Sequence, residues 1–230
     1  MATRIVALQP KAFDDLPPHL HDRTRVIYQS ARSDRVIQPL TPIHNRHPGD
    51  LIGTRKFTVC VIGHLRPVKD PFRAALAVRL LPPSSRIRVL HVGGAMSDGM
   101  AARARAEMEK NPRYCWLGEQ PRWRTRQILS RSQLCVLSSR LEGGANALSE
   151  SIVASVPVIA SRIPGTVGIL GTDYPGYFPV GDTRELRRLL IRAESEPDFI
   201  SLLRSWGDEL AELFEPAREQ RAWADLLGEI

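Results

Sequence analysis

The sequence predicts an α/β domain built on a doubly wound parallel sheet. Three observations carry that reading. From about residue 56 onward, short apolar runs rich in β-branched residues alternate with longer amphipathic stretches. The connections are short, as expected when parallel neighbours are joined through crossover helices. The apolar runs are near-continuous, the pattern of strands covered on both faces.

TVCVI (58–62) is the first such run. After a polar loop, PFRAALAVRLL (71–81) reads as a helix, with Pro71 at a favoured opening position. IRVLHVGG (87–94) is the next strand, DGMAARARAEMEK (98–110) a helix, and YCWLG (114–118) a strand. RTRQILSR (124–131) is a shorter helix, followed by the strand LCVLSS (134–139). ANALSESIVAS (145–155) is a helix and PVIAS (157–161) a strand, and GYFPV (176–180) is a last short strand before the helix TRELRRLLIRAESE (183–196). The C-terminal DELAELFEPAREQRAWADLLGEI is helical with a break at Pro216, and its Trp223, Leu226 and Leu227 form an apolar stripe that needs cover.

The N-terminal part differs. IVALQ (5–9) and RVIYQSA (25–31) are β-like, but the prolines of PKAFDDLPPHLHDR between them allow only turns or a short helix. Two strands with so little helix cannot close a core, so residues 1–54 read as a piece of something larger, ending in a Pro-rich linker over 32–54. The organisation expected is therefore 1–54, a sheet domain over 55–205, and a C-terminal helical segment over 206–230. An exposed apolar face is expected around IVALQ and RVIYQ, open to self-association unless another chain covers it.

Composition excludes several classes. The chain has 230 residues, 43% hydrophobic and 25% charged, enough for one full domain and a fragment of another. No apolar run approaches the roughly 20 residues that span a bilayer, and MATRIVALQPKAFDD lacks the apolar core of a secretory signal. A cytoplasmic protein is the simplest expectation. The net charge of +7 favours phosphate-bearing partners. Its arginines are scattered, however, and no nucleic-acid-binding motif accompanies them. Cys60, Cys115 and Cys135 each lie within an apolar run without CxxC spacing, and the histidines show no metal-ligand pattern.

In such a sheet, ligands bind beyond the carboxyl ends of the strands. After TVCVI comes Gly63-His64-Leu65-Arg66-Pro67-Val68-Lys69-Asp70. A glycine allows close backbone approach, and two cations just before a helix suit a diphosphate. Solvated surface charges are the plainer alternative. After LCVLSS comes Arg140-Leu141-Glu142-Gly143-Gly144-Ala145-Asn146-Ala147-Leu148-Ser149-Glu150. Two glycines bring backbone close to a bound group, and Asn146 stands where an N-cap is expected. Either glutamate can accept two hydrogen bonds from a sugar diol, while a capping and surface role for both stays open.

Taken jointly, LSSRLEGGANALSESIVASVPVIAS and GHLRPVKD resemble the signatures of the family-4 retaining glycosyltransferases: two glutamates separated by seven residues, small residues after the first, and a basic loop ending in lysine. The likeness covers roughly residues 56–200. It implies a GT-B fold, with 55–205 as its nucleotide-sugar-binding Rossmann-like domain, 1–54 as a remnant of the N-terminal GT-B domain, and 206–230 as the helix that crosses back. It implies a nucleoside-diphosphate sugar, typically a UDP-sugar, as donor substrate and no metal or other cofactor. Carried over by position, Lys69 and Arg66 contact the diphosphate, with Gly63 and His64 beside them. Glu142, with Gly143, Gly144 and Ala145, faces the hexose, Asn146 lies against the phosphates, and Glu150 binds the ribose. His64 departs from the pattern, which has arginine there, and Arg66 is the expected substitute. A narrower resemblance, through VALQPKAFDDLPPHLHDRTRVIYQSA and RLEGGANALSESI, is to the selenosugar synthases of selenoneine biosynthesis, which implies selenophosphate as the acceptor. An ordinary UDP- or GDP-sugar transferase with a hydroxyl acceptor, and a donor-binding module without turnover, are the alternatives. A complete enzyme of this kind has an N-terminal domain of roughly a hundred or more residues, so the chain is expected to start late within one. Everything requires the loops at 63–70 and 138–150 to converge on one crevice.

Overall fold

Strands form where the sequence places β-branched apolar runs, and a computed structural model shows how they assemble. It describes residues 3–32, 56–144 and 146–229. In chain order these form β1 (Ile5–Ala7), β2 (Thr24–Val26), β3 (Phe57–Ile62), α1 (Arg73–Arg79), β4 (Ile87–Val92), α2 (Asp98–Lys110), β5 (Tyr114–Trp116) and α3 (Arg122–Ser130). There follow β6 (Leu134–Leu137), α4 (Asn146–Val153), β7 (Val158–Ser161), α5 (Pro164–Leu170), β8 (Tyr177–Phe178), α6 (Thr183–Ser195), α7 (Pro197–Leu210) and α8 (Pro216–Gly228). Most of the linker predicted over 32–54 lies outside the described residues.

The main sheet is six-stranded, in the order β5-β4-β3-β6-β7-β8, and every pairing is parallel. The order runs outward from β3 to one edge and then from β6 to the other. Right-handed crossovers therefore place the helices of the two halves on opposite faces. This is the doubly wound sheet expected. Its strands are buried on both faces: Val59, Cys60, Val89, Leu134, Cys135, Val136 and Ile159 lie in the core. Cys60 and Cys135 pair in register as small buried hydrophobes, and Cys115 is half-buried.

Helix signals behave as their chemistry requires. Ser97 caps α2 by accepting from the Met100 N–H at 3.3 Å, and Asp182 caps α6 by accepting from Glu185 N–H at 2.9 Å. α6 buries Leu186, Leu189, Leu190 and Ala193, an i, i+3, i+4, i+7 stripe. Pro71 does not open α1. Pro67 instead starts a short 3₁₀ turn, and α1 begins after Phe72.

Two helices escaped the sequence pattern. α5 carries two glycines, each costing roughly 1 kcal/mol against alanine in a helix. Packing explains the first: a Cβ at Gly165 would stand 2.2 Å from the Glu142 carbonyl oxygen. α7 opens at Pro197 and runs on to Leu210, so residue 206 falls inside a helix and not at a break. The break at Pro216 is as expected, with a 3₁₀ turn over Ala211–Phe214 leading into α8.

β1 and β2 pair in parallel as a separate two-stranded sheet, joined through two 3₁₀ turns. The exposed apolar face expected there is absent: Ile5, Val6, Leu8 and Val26 are half-buried, and Ala7 and Ile27 are buried. The chain's own C-terminal part provides anchorage. The Ala31 N–H donates to the Phe214 carbonyl at 3.0 Å, and Tyr28 meets the Phe214 ring edge-on at 5.9 Å. Glu229, at the end of α8, accepts from Arg25 at 2.8 Å and Arg4 at 3.3 Å. The α8 stripe is only partly covered: Leu226 is buried, whereas Trp223 and Leu227 are 41% and 66% exposed. No helix among the described residues is long and apolar enough to cross a membrane.

Phe214 is thus the hinge pin between the N-terminal strands and the sheet. Phe214→Ala should destabilise the chain by roughly 3–5 kcal/mol. Urea unfolding checks this, and an unchanged midpoint would show that β1–β2 is not anchored there.

Candidate functional site

The order of strands reverses between β3 and β6, so the loops leaving their carboxyl ends are drawn to opposite faces and leave a crevice between them. The structure brings those two loops together. Ser138 Oγ donates to the backbone carbonyls of Lys69 and Asp70, at 3.1 and 2.9 Å. The Arg140 N–H donates to the Val68 carbonyl at 2.8 Å. Across this junction Lys69 Nζ forms an ion pair with Glu142 Oε1, the same oxygen that accepts a 2.5 Å hydrogen bond from Ser139 Oγ.

The pair stands at the wall of a narrow cleft also lined by Gly63, His91, Ser139 and Ala147. Its free space is about 20 Å³, room for about one water. Glu142 is 11% exposed and Lys69 22%. A partly buried pair of this kind contributes little net stability, but losing one member strands the other charge. The pair is therefore a poor structural brace and a good exchange point, where an incoming anion can take Lys69 and incoming hydroxyls can take Glu142.

The other predicted residues are spread more widely. Gly63 lines the cleft. His64 is exposed, with Nδ1 accepting from the Gly94 N–H at 3.0 Å. Arg66 is exposed. Gly143 is open, with nothing within 4 Å of where a side chain would begin. Gly144 is not open: a Cβ there would stand 2.7 Å from the Leu8 side chain, so the N-terminal segment covers it. Ala145 lies outside the described residues.

Asn146 is the first residue of α4 and so stands inside the helix, not at the N-cap position expected. It is exposed, and with Leu8, Gln29 and Ser149 it lines a separate gap toward the N-terminal strands. Glu150 stands one turn beyond Ala147 on the same face of α4. It is half-buried, and burial raises its pKa above the ordinary carboxylate value, with Arg126 and Arg122 of α3 offsetting part of the rise.

Sequence reasoning passed over Ser138, Ser139 and His91. The clearest signal was His91, an ionisable residue within the apolar run IRVLHV, where burial demands partners. It is 1% exposed. Its Nε2–H donates to the Gly63 carbonyl at 3.0 Å, and Nδ1 accepts from the Tyr114 hydroxyl at 3.0 Å. The ring thus holds the first peptide of the cleft loop in place. Burial lowers its pKa to about 4, against a smaller opposing effect of the Gly63 hydrogen bond. The unfolded chain takes up this proton first, near pH 6.5. The stability contributed is therefore complete above about pH 6.5 and lost as pH falls toward 4, in total about 3 kcal/mol. In urea unfolding across that window, His91→Gln should flatten the pH dependence relative to wild type. Parallel curves would mean that the ring does not stay uncharged inside the fold.

Residues 45–209 match the sequence model of the glycosyl transferases group 1 family. No protein of curated function matches the chain. Among solved structures, the fold is similar to that of Anabaena Alr3699/HepE in complex with UDP and glucose, with a TM-score of 0.79 at 16% identity over 100% of this chain and 64% of that one. It is similar to the sucrose-phosphate synthase of Thermosynechococcus elongatus, with a TM-score of 0.78 at 19% identity over 100% of this chain and 60% of that one. It also resembles a glycosyltransferase from Rickettsia africae, with a TM-score of 0.80 at 14% identity over 99% of this chain and 63% of that one. The chain spans under two thirds of each of these relatives.

Proposed function

The chain belongs to the glycosyl transferases group 1 family, and from that premise we propose that its crevice holds a nucleoside-diphosphate sugar, a UDP-sugar, for transfer of the hexose. The observation that carries this reading is the Lys69–Glu142 pair at the point where the strand order reverses, a cation and a carboxylate within one crevice. In this reading Lys69 leaves Glu142 for the diphosphate, and Glu142 turns to the hexose hydroxyls. Arg66 supplies the second cation, with Gly63 and His64 beside it. The backbone of Gly143, Gly144 and Ala145 passes close to the sugar, Asn146 lies toward the phosphates, and Glu150 accepts from the ribose diol. A structural neighbour crystallised in complex with UDP-glucose supports this choice of donor.

The reaction breaks the bond between the anomeric carbon and a diphosphate oxygen, and the electron pair leaves with UDP. Negative charge growing on that oxygen is the barrier that fixed cations lower. This reading gives that role to Lys69 and Arg66 and assigns no metal. For the acceptor we propose selenophosphate, whose selenium lone pair forms the new bond to the anomeric carbon. Being already anionic, it needs no general base. Support comes from the sequence resemblance through residues 6–31 and 140–152. A second reading, transfer to a hydroxyl acceptor, is favoured by the likeness to a sucrose-phosphate synthase.

UDP release from a UDP-sugar, measured with selenophosphate against simple alcohols, separates the two acceptors. Lys69→Ala and Glu142→Ala should each cut turnover about 100-fold; undiminished turnover in both would eliminate the site. Gly165→Ala, which drives a Cβ into the Glu142 carbonyl and so displaces that loop, should weaken UDP-glucose binding by calorimetry although the Lys69 and Glu142 side chains are both retained. Unaltered binding would show that the position of the Glu142 loop does not matter for the donor.

A further inference from the structure

The residue after Lys69 adopts a backbone conformation that its sequence does not favour. Asp70 has φ 43° and ψ 55°, in the left-handed region, at the end of the 3₁₀ turn Pro67–Lys69. A side chain with a Cβ enters that region at a cost, which aspartate meets when its short carboxylate finds a local partner. Asp70 also precedes Pro71, and a residue before proline favours an extended backbone. The structure holds Asp70 from two sides. Ser138 Oγ, on the β6 loop, donates to its carbonyl at 2.9 Å. Arg73 Nε–H donates to its Oδ2 at 2.8 Å, and Arg73 Nη1–H donates to Thr183 Oγ1 at 2.6 Å.

Arg73 is the first residue of α1 and Thr183 the first of α6. The Arg73 and Asp70 side chains are mostly buried, and the guanidinium lies beside Gly181, where a Cβ would stand 3.7 Å from Nη2. Asp70, Arg73 and Thr183 thus brace the β3 loop on the start of α6, an element with no part in the roles assigned above. We propose that Arg73 is a positioning residue for sugar transfer: it grips the Asp70 carboxylate, holds that residue left-handed, and so sets where Lys69 stands opposite Glu142. The proposal rests on the donor-site reading above and adds a residue that does not line the crevice and acts on it through the backbone. Its consequence is specific. A glycine at position 70 takes a left-handed backbone unaided, so the need for Arg73 disappears. An alanine there has neither the carboxylate nor that freedom.

The test uses the full chain, with UDP-glucose as the probe and affinity read by calorimetry. Arg73→Met keeps the bulk of the stem and removes the donors. It is compared with two double variants, Arg73→Met with Asp70→Gly and Arg73→Met with Asp70→Ala. Neither double variant leaves a carboxylate stranded without its cation, so their comparison stands even where Arg73→Met alone folds poorly. The expected result is a loss of roughly tenfold for Arg73→Met, recovery to within about threefold of wild type with glycine at position 70, and no recovery with alanine. Equal recovery by both double variants would mean that only the stranded charge mattered, and would overturn the proposal. So would wild-type affinity in Arg73→Met, or a glycine variant that binds no better than the alanine one. Failure of wild type to bind UDP-glucose at all would instead sink the donor-site reading, and this proposal with it.

Discussion

A parallel sheet that winds outward in both directions from β3 and β6 has only one place where adjacent carboxyl ends feed loops to opposite faces. That constraint determines the placement of the chemistry. Ser138 ties the two backbones together, and Lys69 and Glu142 meet across the junction. Charge that would be expensive to bury elsewhere is tolerated here because the partners are opposite and solvent is near.

Local accuracy at this junction depends on groups that never face solvent. His91 is held between the Tyr114 hydroxyl and the Gly63 carbonyl, so the start of the β3 loop is fixed from below by a ring that burial keeps uncharged. Gly165 fixes the β6 loop from the other side, since the start of α5 lies against the Glu142 backbone with no room for a methyl group. The site is consequently stiff along the backbone and exchangeable at its side chains, the combination that binding and release of a charged ligand requires.

The parallel sheet was legible in the sequence because runs such as TVCVI and LCVLSS hold four successive apolar residues, the pattern of a strand covered on both faces. The convergence of Lys69 with Glu142 was legible because both follow such runs directly. α5 was not, since its helical character comes from packing against Glu142 while its two glycines argue locally against a helix. Asn146 lies within α4 and not at its N-cap, a difference that cap chemistry alone does not resolve. The cover over β1 and β2 was also beyond reach, because its contacts come from distant parts of the chain, Gly144 and Gly168 as well as Phe214 and Glu229.

Gly144 shows how the N-terminal segment and the glycine-rich loop are mechanically joined. Leu8 occupies the space that a side chain at 144 would need, so a bulkier residue there must displace the strand beside Leu8 before it disturbs any ligand. Loss of binding on altering Gly144 is therefore a symptom of lifting β1, and says nothing about a direct contact. Gly143, one residue earlier, has nothing within 4 Å of where a side chain would begin, so added bulk there meets open space and leaves β1 in place.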